Sequence, residues 1–328
     1  MPLVSIVVPC YNEQDTIRLL LDALYAQTFT RENLEIIIAD GNSSDGTRPK
    51  IAQFQMEYPD LRVCVVENPQ RNIPAGLNQA LRAAQGEIII RLDAHSMPRP
   101  DYVERCVLGL EQGLGDNVGG VWEIRPGGSG WVARAIAAAA AHPLGVGDAY
   151  YRFTARAQPV DTVPFGAFRA SLIEQIGLFD ETLLTNEDYE FNTRVRQAGG
   201  KIWLDPAIRS TYFARATLPS LARQYWRYGF WKARMLCRYP HTIRLRQALP
   251  PLFLVSVLLL GLAGIWLPVA RWLAAGEVLL YALALIMVGA QVAYKRKDFS
   301  LFWGVPLAIA TMHVSWGAAF LWSLLFPG

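Results

Sequence analysis

The stretch EIIIRLDAHSMPRP (residues 87–100) decides how the N-terminal two thirds of this chain fold. Its run of isoleucines has no polar alternation, which describes a strand buried on both faces and so a parallel sheet between two helical layers. The run stops at Asp93-Ala94-His95. In an open α/β sheet, ligands bind at the carboxyl ends of the strands. An aspartate and a histidine two positions apart at that edge are either loop polarity or a pair of ligands, since i and i+2 of an extended backbone point the same way.

The same pattern recurs on either side. LVSIVVPC (3–10), LEIIIAD (34–40) and LRVCVVEN (61–68) read as further strands. NEQDTIRLLLDALYAQ (12–27), SDGTRPKIAQFQMEY (44–58) and IPAGLNQALRAAQG (73–86) read as the helices between them, the second capped by Ser44 or Asp45 and the third closed by Gly86. AIAAAAA (135–141) is another helix. Three strands end in polar tips, Pro9 to Glu13, Asp40 to Asn42 and Asp93 to His95, which converge on one rim. The first turn has no G-x-G-x-x-G, so a dinucleotide-binding dehydrogenase is disfavoured.

Composition narrows the class. The 328 residues carry 31 basic and 28 acidic side chains, a formal charge of +3. That balance does not suit a nucleic-acid-binding surface. The four cysteines (10, 64, 106 and 237) lie far apart, which argues against a structural zinc site and a disulfide framework. MPLVSIVVPC lacks the basic start of a signal peptide. Beyond Arg246 charges almost vanish: 252–270, 278–294 and 299–328 read as three transmembrane helices, the second extended back through Trp272. Arg244 and Arg246 precede the first span, and Lys295 to Lys297 separate the second from the third. The loop between the first two holds only Arg271 and Glu277. Positive charge stays inside, so residues 1–246 face the cytoplasm and the C-terminus the far side.

SIVVPCYNE (5–13), IIIADGNSSDGT (36–47), GEIIIRLDAHSMPRPDYV (86–103) and TNEDYEFNTRVRQAGGKIWLDP (185–206) together resemble glycosyltransferase family 2. Within it they resemble the membrane-anchored glucosyltransferases of succinoglycan-type exopolysaccharide assembly. The resemblance covers about residues 1–235. It implies a GT-A nucleotide-diphospho-sugar transferase fold, Rossmann-like with a mostly parallel sheet, and inverting transfer from a nucleotide-sugar donor with Mn²⁺ or Mg²⁺.

The resemblance also implies roles. Asp40 meets the nucleoside, with Pro9, Tyr11 and Glu13 lining the donor pocket. Asp40 equally suits an Asx-turn, Glu13 suits a helix's first turn, and Gly41 replaces the family's usual second aspartate. Asp93 and His95 sit where the family carries Asp-x-Asp and would hold the metal. Imidazole favours Mn²⁺ over Mg²⁺. Arg71 and Arg91 are within sequence reach of phosphates, with a solvated or structural role as the ordinary reading of each. Glu187-Asp188 is the acceptor-side pair and Asp188 the catalytic base. On local sequence alone, Thr185-x-x-Asp188 is also a capping box, but the neighbouring FGAFRASLIEQIGLFDE (165–181) resembles the family's acceptor-side segment.

RQYWRYGFWKARMLCR (223–238) carries two readings. Gln224 to Tyr228 resembles the Gln-x-x-Arg-Trp of polysaccharide synthases, with Tyr228 for the tryptophan, and implies that Gln224 and Arg227 meet the donor diphosphate. At helical spacing, Arg223, Arg227, Arg234 and Arg238 form one stripe and Trp226, Phe230, Ala233 and Cys237 another, as in an interfacial helix on membrane lipids. The expected organisation is a catalytic domain over 1–217, an interfacial helix over 218–246 and a membrane domain over 247–328. The expected activity is transfer of glucose from UDP-glucose to a polyprenyl-diphosphate-linked saccharide at the inner membrane. A processive synthase, a polyprenyl-phosphate glycosyltransferase and a non-catalytic membrane scaffold are the alternatives. Sequence leaves the oligomeric state open.

Overall fold

A computed structural model describes residues 1–326; Pro327 and Gly328, where the C-terminus was expected to emerge, lie outside the described residues. The chain divides into two compact units, Met1–Glu123 with Thr154–Tyr212, and Ile124–Phe153 with Phe213–Gly328.

Among the described residues the sheet has nine strands: β1 (Val4–Cys10), β2 (Leu34–Asp40), β3 (Arg62–Glu67), β4 (Ile88–Arg91), β5 (Met97–Pro98), β6 (Asn117–Pro126), β7 (Gln158–Pro159), β8 (Ala167–Arg169) and β9 (Ile202–Ala214). Their order is β3-β2-β1-β4-β8-β6-β9-β5, with β7 also on β9. β1 is parallel to β2 and β4, and β2 to β3. The crossovers α1 (Ile17–Tyr25), α2 (Thr47–Glu57) and α3 (Ile73–Ala83) make this possible, because each returns the chain to the edge where the previous strand began. Past β4 the pairing turns antiparallel: β8 against β4 and β6, and β9 against β5 and β7.

β1, β2 and β4 are buried throughout, as their apolar runs require. β3 departs from that expectation. It ends the sheet with no strand beyond it, and Arg62, Cys64, Val65 and Glu67 are exposed. Two helix limits also differ. Gly46, not Ser44 or Asp45, is the cap residue of α2, while Asp45 accepts from the Thr47 N–H at 3.0 Å. α3 stops at Ala83, and Gly86 instead lets the chain close onto β1, where a Cβ would lie 2.6 Å from the Ser5 nitrogen. The first unit is completed by α4 (Tyr102–Glu111), and later in the chain by two further helices described with the site.

The second unit is helical: α5 (Trp131–Ala140), α6 (Pro143–Val146), then, past α7 (Ser171–Ile176) and α8 (Glu187–Gln197) of the first unit, α9 (Leu218–Arg238), α10 (Leu245–Ala263), α11 (Pro268–Arg296) and α12 (Leu301–Leu325). Among the described residues α10, α11 and α12 are the three helices long and apolar enough to cross a membrane. The first is shifted from its expected range. α10 ends at Ala263, and Pro268 opens α11, a first-turn position where a missing N–H is harmless. Arg271 and Glu277 therefore lie inside α11 and not in the loop, and Glu277 accepts a hydrogen bond from Ser256 of α10 at 2.9 Å. α9 begins at a capping box formed by Thr217 and Ser220. Its aromatic stripe is broken: Ala233 is buried with Leu236 against Phe320 of α12, while Trp226 and Cys237 are exposed. Arg234 lies over the Phe230 ring, 4.6 Å from its centroid.

Candidate active site

β4 ends at Arg91, whose backbone N–H donates to the Gly166 carbonyl at 3.1 Å. The next residue, Leu92, donates to Val7 of β1 at 3.1 Å, so the chain is held in the sheet up to the point where Asp93 leaves it. Arg91 is 4 % exposed, and its guanidinium lies over the Phe165 ring, 5.2 Å from its centroid. Around the guanidinium stand three carboxylates. Nη2 is 2.9 Å from Asp93 Oδ1 and 3.0 Å from Glu187 Oε1, and Nη1 is 3.1 Å from Asp188 Oδ2. Residues 91, 93, 187 and 188 thus form one cluster, assembled from β4 and the start of α8.

α8 opens at Glu187, with Asn186 as its cap residue at φ 72°. Thr185 is not the cap, and the Asp188 carboxylate pairs with Arg91, so this segment is not the capping box that its spacing also allowed. One cation against three anions leaves negative charge in a poorly solvated place. Burial pushes the Glu187 carboxyl up to about 7, with the Asp188 charge adding to it and Arg91 opposing. Burial likewise raises Asp188, to about 6, against the pull of Arg91 and helped by Asp93.

His95 sits on the same rim, half-exposed. Its Nδ1 is 3.0 Å from Glu13 Oε1 and its Nε2 is 3.9 Å from Asp93 Oδ2. If Nδ1 carries the proton and donates it to Glu13, Nε2 is the basic nitrogen, on the side of Asp93. Glu13 also accepts from the Thr16 hydroxyl.

The remaining expected donor residues are placed as follows. Asp40 ends β2 completely buried, and its carboxylate accepts from the Ser43 N–H at 3.1 Å and the Ser43 hydroxyl at 2.5 Å and pairs with Arg48. These are the turn contacts its local sequence also predicted. Pro9 lies in β1 beside Ala39. The Tyr11 ring is exposed, and the Arg71 guanidinium stands 5.9 Å from its centroid, with Arg71 itself at φ 55°. Gln224 and Arg227 belong to α9 of the second unit, where the Gln224 amide donates to the Tyr228 hydroxyl at 3.0 Å.

A divalent cation is tested by these donors. Ligands about 2.1 Å from one ion can stand no more than ~4.2 Å apart, so Asp93 Oδ2 and His95 Nε2 can share one. The surplus negative charge around Arg91 favours it as well. Among the described residues no group of three or more His, Cys, Asp or Glu could hold a metal. A bound ion would therefore draw its other ligands from substrate and water, as a catalytic ion must. The pair fits such a role.

Arg91, whose ordinary reading by sequence is a solvated or structural role, is the buried centre of the cluster. The available signal was an arginine inside an isoleucine run, because a buried guanidinium requires anionic partners.

The glycosyl transferase family 2 pattern matches residues 5–177, which include β1, β4 and Phe165 but end before Glu187 and Asp188. The chain belongs to glycosyltransferase family 2. The succinoglycan biosynthesis protein ExoA of Rhizobium meliloti (strain 1021) is 31 % identical over 324 residues, 98 % of this chain and 94 % of that protein. A dolichyl N-acetyl-alpha-D-glucosaminyl phosphate 3-beta-D-2,3-diacetamido-2,3-dideoxy-beta-D-glucuronosyltransferase of Methanococcus voltae is 25 % identical over 327 residues, 97 % of this chain and 96 % of that one. Among solved structures, the mannosyltransferase PcManGT from Pyrobaculum calidifontis, in complex with GDP-Man and Mn²⁺, has a TM-score of 0.60 at 21 % identity, covering 95 % of this chain and 87 % of its own. That likeness shows the fold: a GT-A glycosyltransferase, here with three apolar helices at its C-terminus.

Proposed function

We propose that this glycosyltransferase catalyses inverting, divalent-metal-dependent transfer of glucose from UDP-glucose to a polyprenyl-diphosphate-linked saccharide, in exopolysaccharide or cell-surface glycan assembly. The observation that carries the reading is the shared guanidinium: Arg91 meets Asp93 at 2.9 Å and Asp188 at 3.1 Å. A donor-side carboxylate and a candidate base thereby face one point. Similarity to ExoA along nearly the whole chain supports the glycan class, and the GDP-Man and Mn²⁺ bound to PcManGT support a nucleotide sugar and a metal.

Asp188 takes the proton of the acceptor hydroxyl as that oxygen forms its bond to the anomeric carbon. The bond from that carbon to the diphosphate breaks on the opposite face, and its electron pair leaves with the nucleoside diphosphate. Burial raises both Glu187 and Asp188, with repulsion from neighbouring carboxylates adding to it, so the pair takes up a proton more readily than an exposed carboxylate. Asp93 and His95 would hold a divalent cation, Mn²⁺ in preference to Mg²⁺, which would supply charge neutralisation for the departing diphosphate. Asp40, Pro9, Tyr11, Glu13 and Arg71 form the donor side, and Gln224 and Arg227 of α9 meet the diphosphate.

The functional division is a catalytic domain over 1–217, an interfacial helix region over 218–246 and a membrane domain over 247–328. Basic residues at the ends of α10 and α11 support a catalytic domain on the cytoplasmic face of the inner membrane, and three crossings would carry the C-terminus to the far side. The test is nucleotide release across a panel of UDP-, GDP- and dTDP-sugars, with native lipid extract as acceptor and the anomeric configuration of the product read by NMR. Retention of configuration, or no transfer from any donor, would refute the reading.

A further inference from the structure

We propose that Arg91 is the positioning residue of the transfer reaction, a fixed buried cation that holds the Asp188 carboxylate against the donor side and ties it to Asp93. This rests on Asp188 being the base.

Three observations carry it. The first is immobility. Arg91 is anchored by the sheet at its backbone, is packed over Phe165 and is 4 % exposed, so its charged end has little freedom. The second is the division of the fork. Nη1 faces Asp188 at 3.1 Å, whereas Nη2 faces Asp93 and Glu187 at 2.9 and 3.0 Å. A planar guanidinium with two separated nitrogens keeps the base apart from the other two acids while binding all three, which the point charge of a lysine does not reproduce. The third is the charge count. Without Arg91 three carboxylates would crowd one poorly solvated volume, and repulsion would drive Asp188 outward or neutralise it.

The position in the fold adds a further reason. Arg91 belongs to β4 and Asp188 to α8; β8 lies beside β4 in the sheet, and its Phe168 packs on Phe191 of α8 with ring centroids 5.0 Å apart. The Arg91–Asp188 contact therefore fixes the acceptor-side helix relative to the strand that presents Asp93. When Asp188 accepts a proton during transfer, Arg91 retains Glu187 and Asp93 as partners, so the guanidinium is never stranded without a counter-charge. Its effect falls on the turnover step rather than on donor affinity.

The experiment compares full-length wild type, Arg91→Ala and Arg91→Lys in detergent, with UDP-glucose and native lipid extract. It reads kcat, donor KM, UDP affinity by calorimetry and thermal unfolding. Arg91→Ala should lose on the order of 10²-fold in kcat, the scale of removing a preorganised charge, with donor KM and UDP affinity within about threefold. Millimolar methylguanidinium, which fits the space vacated by the side chain, should recover at least about tenfold of that loss in Arg91→Ala and none in Asp188→Asn. Arg91→Lys should remain about tenfold or more below wild type in kcat with an unchanged UDP affinity, and it carries the test by itself if the alanine variant does not fold. Full activity in Arg91→Lys overturns the proposal, as does a loss confined to KM and UDP affinity, or a folded alanine variant that methylguanidinium leaves unchanged. Wild-type turnover in Asp188→Asn would instead remove the base assignment, a failure of its own kind.

Discussion

Replacing Asp188 by asparagine is the sharpest perturbation of the proposed chemistry. Asparagine has nearly the same shape, and its amide oxygen can still accept from Arg91 Nη1, now 3.1 Å from Asp188 Oδ2. Arg91 keeps Asp93 and Glu187, so no buried charge loses its partners and the stability change should stay within about 1 kcal/mol. What disappears is proton acceptance. General-base catalysis contributes about 10²- to 10⁴-fold, so the barrier should rise by about 3–5 kcal/mol. The pH profile makes a second, independent reading. Asp188 acts as a base only when ionised, and burial lifts its proton affinity to about 6. The wild-type rate should therefore hold above that pH and fall about tenfold per unit below it. In Asp188→Asn this acid limb should be gone, leaving a low, flatter profile. Nucleotide release with UDP-glucose and native lipid extract measures both, with UDP affinity by calorimetry as the control for folding. Turnover within threefold of wild type, or an acid limb that survives unchanged, would refute the assignment.

Three other outcomes follow from the geometry. Rates with Mn²⁺ should exceed those with Mg²⁺, His95→Asp should shift the preference toward Mg²⁺, and Asp93→Ala should be inactive with either; an unchanged ion preference in His95→Asp would exclude His95 as a ligand. A reporter in the Lys295-Arg296-Lys297 segment should lie in the cytoplasm and one fused after Gly328 outside it; both on one side would mean that one apolar helix does not cross. Gly120→Ala should lower the thermal midpoint by several degrees or abolish folding, because its Cβ would fall 1.9 Å from the Ile208 carbonyl oxygen and β6 would have to move off β9. A midpoint within about 1 °C of wild type would contradict that packing.

Much of the fold is legible in local pattern. Largely apolar runs without polar alternation at 4–10, 34–40 and 88–91 specify strands covered on both faces, and all three are buried. Loss of charge beyond Arg246 specifies helices suited to a bilayer, because a long uncharged helix satisfies its own backbone and needs nothing from its neighbours. Asp93 and His95 are legible as a pair for the same reason: their spacing and the strand end are both local. The exposure of β3 is not local. It depends on β3 being the last strand in the sheet, and LRVCVVEN has the same character as strands that lie inside.

Tertiary structure alone decided the partners of the charged groups. An ion pair has no periodicity, and Arg91 and Asp188 are 97 positions apart in sequence, 3.1 Å apart in space. By sequence Arg91 was a solvated or structural arginine, Asp188 a base or a capping residue, and Asp40 a nucleoside ligand or a turn residue. The sheet order brings β8, and with it the chain that leads to α8, beside β4, so that Asp188 pairs with Arg91 and does not cap α8. For Asp40 the folded chain supplies Ser43 and Arg48 as partners. What the sequence determined by itself was therefore the elements and the residue types at their ends, since these follow from short-range backbone preference and hydrophobic periodicity. Which carboxylates face which cation was left to the fold, because Coulomb energy depends on distances that only the packed sheet sets.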